Sequence, residues 1–199
     1  MKELGNIFFK YRSYIPLPFV FVMILFMKPT LASIIAGFLI ALSGEIIRIW
    51  SVSFAGSETR TTSGVGGTYL VTQGPYSVIR NPLYAGNILI YLGIGIMSNA
   101  LSPYLQIFAF IFFSFQYHCI VLAEEDFLQN KFRDIYPDYR KFVGRFFPKF
   151  RKVPAHILSG LELNVKNGFK SERRSLQAFL ITSFIIIIYY LLKVRFGIF

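Results

Sequence analysis

Residues 74–87 read Gly-Pro-Tyr-Ser-Val-Ile-Arg-Asn-Pro-Leu-Tyr-Ala-Gly-Asn, and they run directly into an apolar segment, Ile88 to Met97. Two prolines stiffen the stretch, and Pro82 suits the first turn of a helix. The sequence therefore predicts a turn-rich connection that ends at a membrane helix. The polar side chains at this boundary belong to Tyr76, Arg80, Asn81 and Tyr84. A cation, an amide and two phenols at such a place indicate a binding site.

The composition of the chain favours a membrane protein. Of its 199 residues, 54% are hydrophobic, and its mean hydropathy is +0.53. A soluble domain of this size could not bury so much apolar surface, so the bilayer is the expected solvent. Five apolar segments are long enough to enter or cross it, namely residues 16–27, 31–50, 84–98, 103–123 and 176–192. We expect an all-α, polytopic membrane protein with about five membrane helices and cytoplasmic amphipathic segments.

The distribution of basic residues predicts the orientation in the membrane. With a cytoplasmic N-terminus, only Lys28, Lys193 and Arg195 lie on the far side, and the other eighteen of the 21 Lys and Arg residues lie in the cytoplasm. Basic loops are retained on the cytoplasmic side of membranes. We therefore expect an odd number of spans, with the loop 51–83 and the segment 124–175 both cytoplasmic. The net charge of +11 is explained by topology, and no nucleic-acid partner is needed.

The chain is expected to form one membrane domain, residues 1–199, with a motif core at about 60–150. Residues 151–199 then form a basic tail and a last helix. The first apolar segment has no small-residue cleavage site after it, only Lys28-Pro29, so we expect a retained helix and not a signal peptide. In residues 124–151 apolar residues recur at helical spacing, and basic residues lie between them. This pattern predicts a helix lying on the membrane surface.

Several kinds of site find no support. Cys119 is the single cysteine, which excludes an intramolecular disulfide, and neither it nor the two histidines indicate a metal site. The glycine-rich residues 64–67 follow no buried strand, so we interpret them as a flexible loop and not as a dinucleotide fingerprint. Glu45 and Arg48 lie three residues apart in the second segment. They could form a functional pair, or a pair that reaches the interface by snorkelling.

Two clusters could bind a ligand. The backbone N–H groups at the helix start near Pro82, with Arg80 beside them, suit a carboxylate. Glu124, Glu125 and Asp126 are expected at the cytoplasmic end of the fourth segment, where the helix C-terminus disfavours acids. Their partner could be a basic side chain such as Arg80, or a ligand with an ammonium or sulfonium group. The alternative is a solvated helix end.

These motifs, in this order, resemble the isoprenylcysteine carboxyl methyltransferase family and the related phospholipid methyltransferases. The shared pattern is Gly-Pro-Tyr, Arg-x-Pro-x-Tyr-x-Gly, a span pair, Glu-Glu, Phe-x-x-x-Tyr-x-x-Tyr and Arg-Phe-x-Pro. The matching positions are Gly74, Pro75, Tyr76, Arg80, Pro82, Tyr84, Gly86, Glu124, Glu125, Phe132, Tyr136, Tyr139, Arg145, Phe146 and Pro148. They cover about residues 60 to 150. The family usually has histidine where this chain has Asn81.

The resemblance implies an integral membrane methyltransferase that uses S-adenosylmethionine and acts on a lipophilic substrate from the bilayer. Arg80 would then hold a carboxylate of the cofactor or the substrate, with Glu124 or Glu125 as its alternative partner. The two glutamates would face the positive end of the cofactor. Tyr76, Asn81 and Tyr84 would line the pocket. Such an enzyme needs the substrate and surrounding membrane lipids as partners, and no metal.

The acceptor is expected to be a carboxylate, because methyl transfer to it needs positioning and exclusion of water more than a general base. Three alternatives stay open. A phospholipid or amine N-methyltransferase would share the fold but would need a base. A sterol-type membrane reductase would share the Arg-x-Pro-x-Tyr-x-Gly element and use NADPH. A membrane protein without activity is the third alternative, and Asn81 is the feature in its favour.

Overall fold

A computed structural model describes residues 1–56 and 69–197, and these residues are largely helical. In these described residues seven α-helices follow one another: α1 Lys2–Tyr11, α2 Pro16–Phe26, α3 Leu31–Ala55, α4 Pro82–Ser98, α5 Tyr104–Lys131, α6 Tyr136–Phe142 and α7 Val165–Phe196. The described part of the chain contains no β-strand. It has a parallel bridge between Ile79 and Gly144. The all-α prediction is confirmed.

Three helices, α3, α5 and α7, are long and apolar enough to cross a membrane. The helices α1 and α2 pass the same test together, although they are bent by 58° at the break between them. The 17-residue helix α4 is apolar but shorter. By length and composition the described residues contain three spans, or four if α1 and α2 together count as one, and α4 is a further apolar helix. The chain is a polytopic integral membrane protein.

Each of the five predicted apolar segments coincides with a helix, but three of the segments are clearly shorter than their helix. Helix α3 continues past residue 50 to Ala55, and α5 continues past Ala123 to Lys131. Residues such as Leu128 and Gln129 favour helix, so leaving the apolar stretch does not stop it. The last helix begins at Val165, well before the predicted start at residue 176. The predicted glycine-rich loop at 64–67 lies outside the described residues.

The predicted surface helix over residues 124–151 was also wrong. Its first part belongs to α5, and its second part contains only the seven-residue helix α6, with Pro137 in the first turn. Tyr136, Tyr139 and Val143 are each at most 2% exposed, and they form a hydrophobic cluster with Leu70 and Ile157. The apolar side of this segment thus packs against protein.

Contacts divide the chain into two compact units, and the first holds the candidate site. Unit 1 consists of Met1–Tyr11, Ile46–Ala85 and Phe115–Glu172, as far as these are described. Hydrogen bonds tie the stretch after α6 to the rest of this unit. The Thr72 hydroxyl donates to the Ile157 carbonyl over 2.8 Å, and the Asn164 N–H donates to the Ser53 carbonyl over 2.8 Å. Residues 153–164 are thereby held although they form almost no regular structure.

Unit 2 consists of Arg12–Glu45, Gly86–Ser114 and the chain from Arg173 onward. Here α3 and α4 approach closely through small residues. A Cβ atom on Gly37 would lie 2.4 Å from the Gly93 carbonyl oxygen, and one on Gly93 would lie 2.4 Å from the Ala41 nitrogen. Small residues at such a contact let two membrane helices pack backbone to backbone.

Candidate functional site

The segment before α4 is shaped by a glycine and a short helical turn. Gly74 has φ +59°, and a Cβ atom there would lie 2.3 Å from the Phe54 ring, so a side chain is excluded both by conformation and by space. A 3₁₀ turn spans Gly74–Ser77. The Arg80 N–H then donates to the Gly144 carbonyl over 2.8 Å, and α4 begins at Pro82. This path fixes where the Arg80 side chain starts.

Arg80 is buried among protein acceptors. Its Nε and Nη2 atoms donate to Glu125 Oε1 at 3.1 and 2.7 Å, and its Nη1 atom donates to the Val143 carbonyl at 2.5 Å. The side chains of Arg80 and Glu125 are only 8% and 7% exposed. The structure therefore gives Arg80 the protein carboxylate that the sequence left open as its alternative partner.

A second arginine, Arg145, binds the same carboxylate. Its Nε donates to Glu125 Oε1 at 3.1 Å and its Nη2 to Oε2 at 2.6 Å. The pKa of Arg145 is raised by this hydrogen bond to Glu125. Sequence reasoning placed Arg145 in the family pattern but gave it no role in the site. The Arg-Phe-x-Pro motif was the available signal, since a motif arginine near two acids is a natural partner for one of them.

Glu124, the other member of the acid pair, has a different environment. The Tyr84 hydroxyl donates to Glu124 Oε1 over 2.6 Å. The Tyr84 ring also stacks on Tyr117, with ring centroids 4.9 Å apart. Tyr117 and Glu124 are seven residues apart on α5, which places them on one face of the helix. Tyr84 thus contacts this face through both its ring and its hydroxyl.

Asn81 and Tyr76 complete the predicted set. Asn81 Nδ2 donates to the Arg145 carbonyl over 3.2 Å, and the Tyr76 carbonyl accepts a 2.5 Å hydrogen bond from the Tyr139 hydroxyl. Burial raises the pKa of Tyr76, and so does the nearby Glu124 carboxylate. The Tyr76 hydroxyl consequently stays protonated at neutral pH and can donate a hydrogen bond.

A further ion pair in unit 1 joins α3 to α7. Arg48 donates to Glu172 Oε2 from Nε over 3.1 Å and also from Nη2. The side chains are 16% and 7% exposed. Sequence reasoning considered Arg48 together with Glu45 and did not find Glu172, because a partner 124 residues away leaves no local pattern.

All six residues predicted for the site lie in unit 1. They are Tyr76, Arg80, Asn81, Tyr84, Glu124 and Glu125. Arg80 and Glu125 bind each other, Tyr84 binds Glu124, Asn81 binds the backbone of Arg145, and Tyr76 binds Tyr139 through its backbone carbonyl. The acids lie inside α5, which continues for five residues beyond Asp126 to Lys131. Asp126, the third acid, is instead exposed and binds Lys2 over 2.5 Å.

The arrangement suits a ligand that carries a positive charge. Glu124 is a carboxylate that accepts a hydrogen bond from the Tyr84 hydroxyl, and a carboxylate attracts a cation. Within residues 1–56 and 69–197, no three His, Cys, Asp or Glu side chains converge as metal ligands would.

Comparison with known protein families identifies one family. The family model described as phospholipid methyltransferase matches residues 32–135. That range includes the helix start at Pro82 and both glutamates. No solved structure matches the chain.

Two curated relatives are similar over about half of this chain. The cobalt-zinc-cadmium resistance protein CzcN of Cupriavidus metallidurans is 30% identical over 102 residues, which cover 51% of this chain and 43% of that protein. The nickel-cobalt-cadmium resistance protein NccN of Alcaligenes xylosoxydans xylosoxydans is 31% identical over 99 residues, which cover 48% and 45%. The matched region thus spans less than half the length of each relative.

Proposed function

The chain belongs to the phospholipid methyltransferase family, and from that premise we propose that it is an S-adenosylmethionine-dependent methyltransferase acting on a lipophilic substrate from the bilayer. One observation carries the proposal. Two motifs that lie some 40 residues apart in sequence meet in one site, through the contacts of Arg80 with Glu125 and of Tyr84 with Glu124. We further propose that this site faces the cytoplasm, where the basic residues indicate it to be.

The residues of the site have distinct roles in this proposal. S-adenosylmethionine supplies an electrophilic methyl group on a sulfonium. Glu124, oriented by the Tyr84 hydroxyl, provides the negative charge that faces this cation. Arg80 and Arg145 clamp Glu125, and this clamp holds the chain around Gly144 against the start of α4. Arg80 is therefore a positioning residue in the protein as it stands.

We propose a carboxylate as the methyl acceptor, because the described residues of the site offer phenol groups and no evident general base. Tyr76, with its raised pKa, keeps its proton and serves as a hydrogen-bond donor. A carboxylate acceptor is already ionised and needs no base. A phospholipid amine is the second candidate, favoured by the family description. The family also favours methyl transfer over the hydride transfer of an NADPH-dependent reductase.

The purified protein can test these alternatives in one design. It is reconstituted in lipid vesicles with S-adenosylmethionine labelled in the methyl group, and label in the extracted lipid is measured. A methyl ester releases its label as methanol on treatment with base, whereas an N-methyl group keeps it. Base-labile label supports the proposal, and base-stable label supports the amine acceptor.

A binding measurement decides between the two cofactors. We expect calorimetry to show binding of S-adenosylmethionine and none of NADPH. The reverse result would overturn the proposed function. The variant Asp126→Asn should bind S-adenosylmethionine like the unchanged protein, because Asp126 is an exposed acid next to the site.

A further inference from the structure

The stretch of unit 1 that follows α6 exposes two phenylalanine rings. Phe147 is 83% exposed and Phe150 is 94% exposed. The apolar residues just before them pack in the protein cluster of Tyr136, Tyr139 and Val143, whereas these two rings project from the described part of the chain. Aromatic rings are stabilised by burial, so two fully exposed rings three residues apart indicate a contact surface.

Close packing fixes the turn that presents these rings. A Cβ atom on Gly144 would overlap the Phe147 carbonyl oxygen, so the chain closes tightly on the glycine. Lys149 Nζ donates to the Arg140 carbonyl over 2.8 Å and ties the turn back to α6. Phe150 has φ +52°, in a region that a bulky residue seldom adopts. The turn therefore has a defined shape that keeps both rings outside the protein cluster.

The base of this turn is attached where two apolar helices meet the membrane boundary. Arg145 Nη2 donates to Glu125 Oε2 over 2.6 Å, and Glu125 lies two residues past the apolar run of α5. The Gly144 carbonyl accepts from the Arg80 N–H, two residues before α4 begins. A chain advances at most about 3.6 Å per residue, so the Phe147 backbone lies within about 7 Å of the Arg145 backbone. The rings are thereby held near the level of the lipid headgroups.

The charge of the surrounding chain selects an anionic partner. Between Tyr139 and Leu161 the sequence contains six Lys and Arg residues and no Asp or Glu. Arg151 and Lys152 directly follow Phe150, and both are exposed. Neither takes part in the ion pairs found among the described residues. Basic residues close to a bilayer are attracted by its anionic lipids, and aromatic rings favour the headgroup level.

Among the surfaces able to cover the rings, the bilayer fits best. A second copy of this chain would bring the same positive charge against Arg151 and Lys152, and like charges oppose that contact. A soluble acidic protein would lose its free translation and rotation on binding. The bilayer already lies beside the turn, so contact with it carries no such cost.

We propose that residues 147–152 form a lipid-binding element, in which Phe147 and Phe150 enter the headgroup region and Arg151 and Lys152 bind the phosphates of anionic phospholipids. The partner is the leaflet on the side of the candidate site. Because Arg145 links this element to Glu125, lipid contact supports the clamp that holds the site together. The element needs neither a cofactor nor methyl transfer, so it does not depend on the proposed function.

Tryptophan reporters test the insertion of the two rings. The single tryptophan, Trp50, is first replaced by phenylalanine, and Phe147→Trp and Phe150→Trp are then made separately. Each protein is reconstituted in vesicles of phosphatidylcholine mixed equally with phosphatidylglycerol, with and without bromine on the acyl chains. Bromine quenches tryptophan at short range, so brominated lipid should remove most of the emission of both reporters.

Leu163→Trp is the matched control, in the same Trp50→Phe background. Leu163 is an apolar residue of unit 1 that is 52% exposed, but its neighbour is the acid Glu162. The apolar part of the helix that follows begins only at residue 176. A reporter at this position should therefore keep its emission in brominated vesicles.

The lipid charge isolates the contribution of the basic residues. Two basic residues near an anionic surface change the ratio of inserted to free element on the order of thirty-fold at low salt. Quenching should therefore be weaker in vesicles of phosphatidylcholine alone. It should also be weaker in the mixed vesicles for Arg151→Gln with Lys152→Gln. The variant Arg133→Gln with Lys166→Gln removes the same charge from other exposed positions of unit 1 and should keep the normal quenching.

Each outcome has one meaning. Quenching of both phenylalanine-site reporters, spared at Leu163 and weakened by Arg151→Gln with Lys152→Gln, supports the lipid-binding element. Absence of quenching, equal quenching at Leu163, or no effect of the double variant overturns it. A reporter that aqueous iodide quenches and lipid does not leaves the surface for a soluble partner, and shielding from both quenchers indicates a second copy. Both results also overturn the proposal, and neither depends on methyl transfer.

Discussion

At the scale of single residues, the adjacent acids Glu124 and Glu125 do different work. Glu125 is held by two arginines, whereas Glu124 accepts a hydrogen bond from Tyr84. The sequence favoured a ligand carboxylate as the partner of Arg80 and offered Glu124 or Glu125 as the alternative, and the structure pairs Arg80 with Glu125. The sequence could not assign the two acids, because the assignment depends on Arg145 returning to the site after α6. A contact between residues that lie far apart in the chain, such as Arg145 and Glu125, leaves no periodic signal in the sequence.

Glu125→Gln should destabilise the fold. The change leaves two guanidinium groups around a neutral amide, and breaking a buried ion pair by removing one partner costs about 3–5 kcal/mol. Denaturant unfolding in detergent measures this loss. Asp138→Asn is the control, because Asp138 forms an exposed pair with Lys141, and solvent screens such a pair so that it contributes little to stability. Equal stability of the two variants would mean that the ion pairs of Glu125 do not stabilise the fold.

Glu124→Gln should leave the fold nearly intact and weaken cofactor binding. A hydrogen bond or contact to a charged group contributes about 1.5–3 kcal/mol, which corresponds to a loss of affinity on the order of ten-fold to a hundred-fold. Calorimetry with S-adenosylmethionine measures this change. The control variant Asp126→Asn, which changes an exposed acid two residues away on the same helix, should keep normal affinity. Normal affinity in Glu124→Gln would exclude this acid as a cofactor contact.

At the scale of helices, the hydrophobic pattern located α2, α3, α4, α5 and α7 in the described chain, but it did not find α1 or the ends of the longer helices. Apolar runs report where a helix lies in the bilayer, and α5 continues past its apolar run because its polar continuation also favours helix. The pattern after it was interpreted as a lipid-facing surface, yet Tyr136 and Tyr139 face a protein core. An apolar helical face has the same sequence signature whether lipid or protein covers it, so only the structure could decide.

The contact between α3 and α4 should be sensitive to side-chain size. Gly93→Ala places a methyl group within 2.4 Å of the Ala41 nitrogen, and inserting atoms into such a packed contact costs about 1–3 kcal/mol. Unfolding in detergent should show a lower midpoint for this variant. Gly95→Ala is the matched control on the same helix, because its added atom would meet only Gln106 Cγ at 3.7 Å. A similar midpoint for both variants would mean that the helices separate easily.

At the scale of the whole molecule, the arrangement in the membrane follows from charge. Lys28 is one of only three basic residues expected on the far side, whereas Lys166 belongs to the large basic set. Both are exposed, so each can be replaced by cysteine for labelling. Cys119 is buried and should be replaced first. Ser63, in the other loop expected on the cytoplasmic side, lies outside the described residues.

We expect a cysteine at Lys166 to be protected in intact cells from a membrane-impermeant thiol reagent, and to react once the membrane is opened. A cysteine at Lys28 should react from outside in intact cells. The strongly basic segment around Lys166 is retained in the cytoplasm, which leaves the short loop at Lys28, with its single basic residue, on the outside. The pair is internally controlled, since each position reports the opposite accessibility. Labelling of Lys166→Cys from outside would show the opposite orientation, and it would place the site of Glu124 and Glu125 away from the cytoplasmic supply of S-adenosylmethionine.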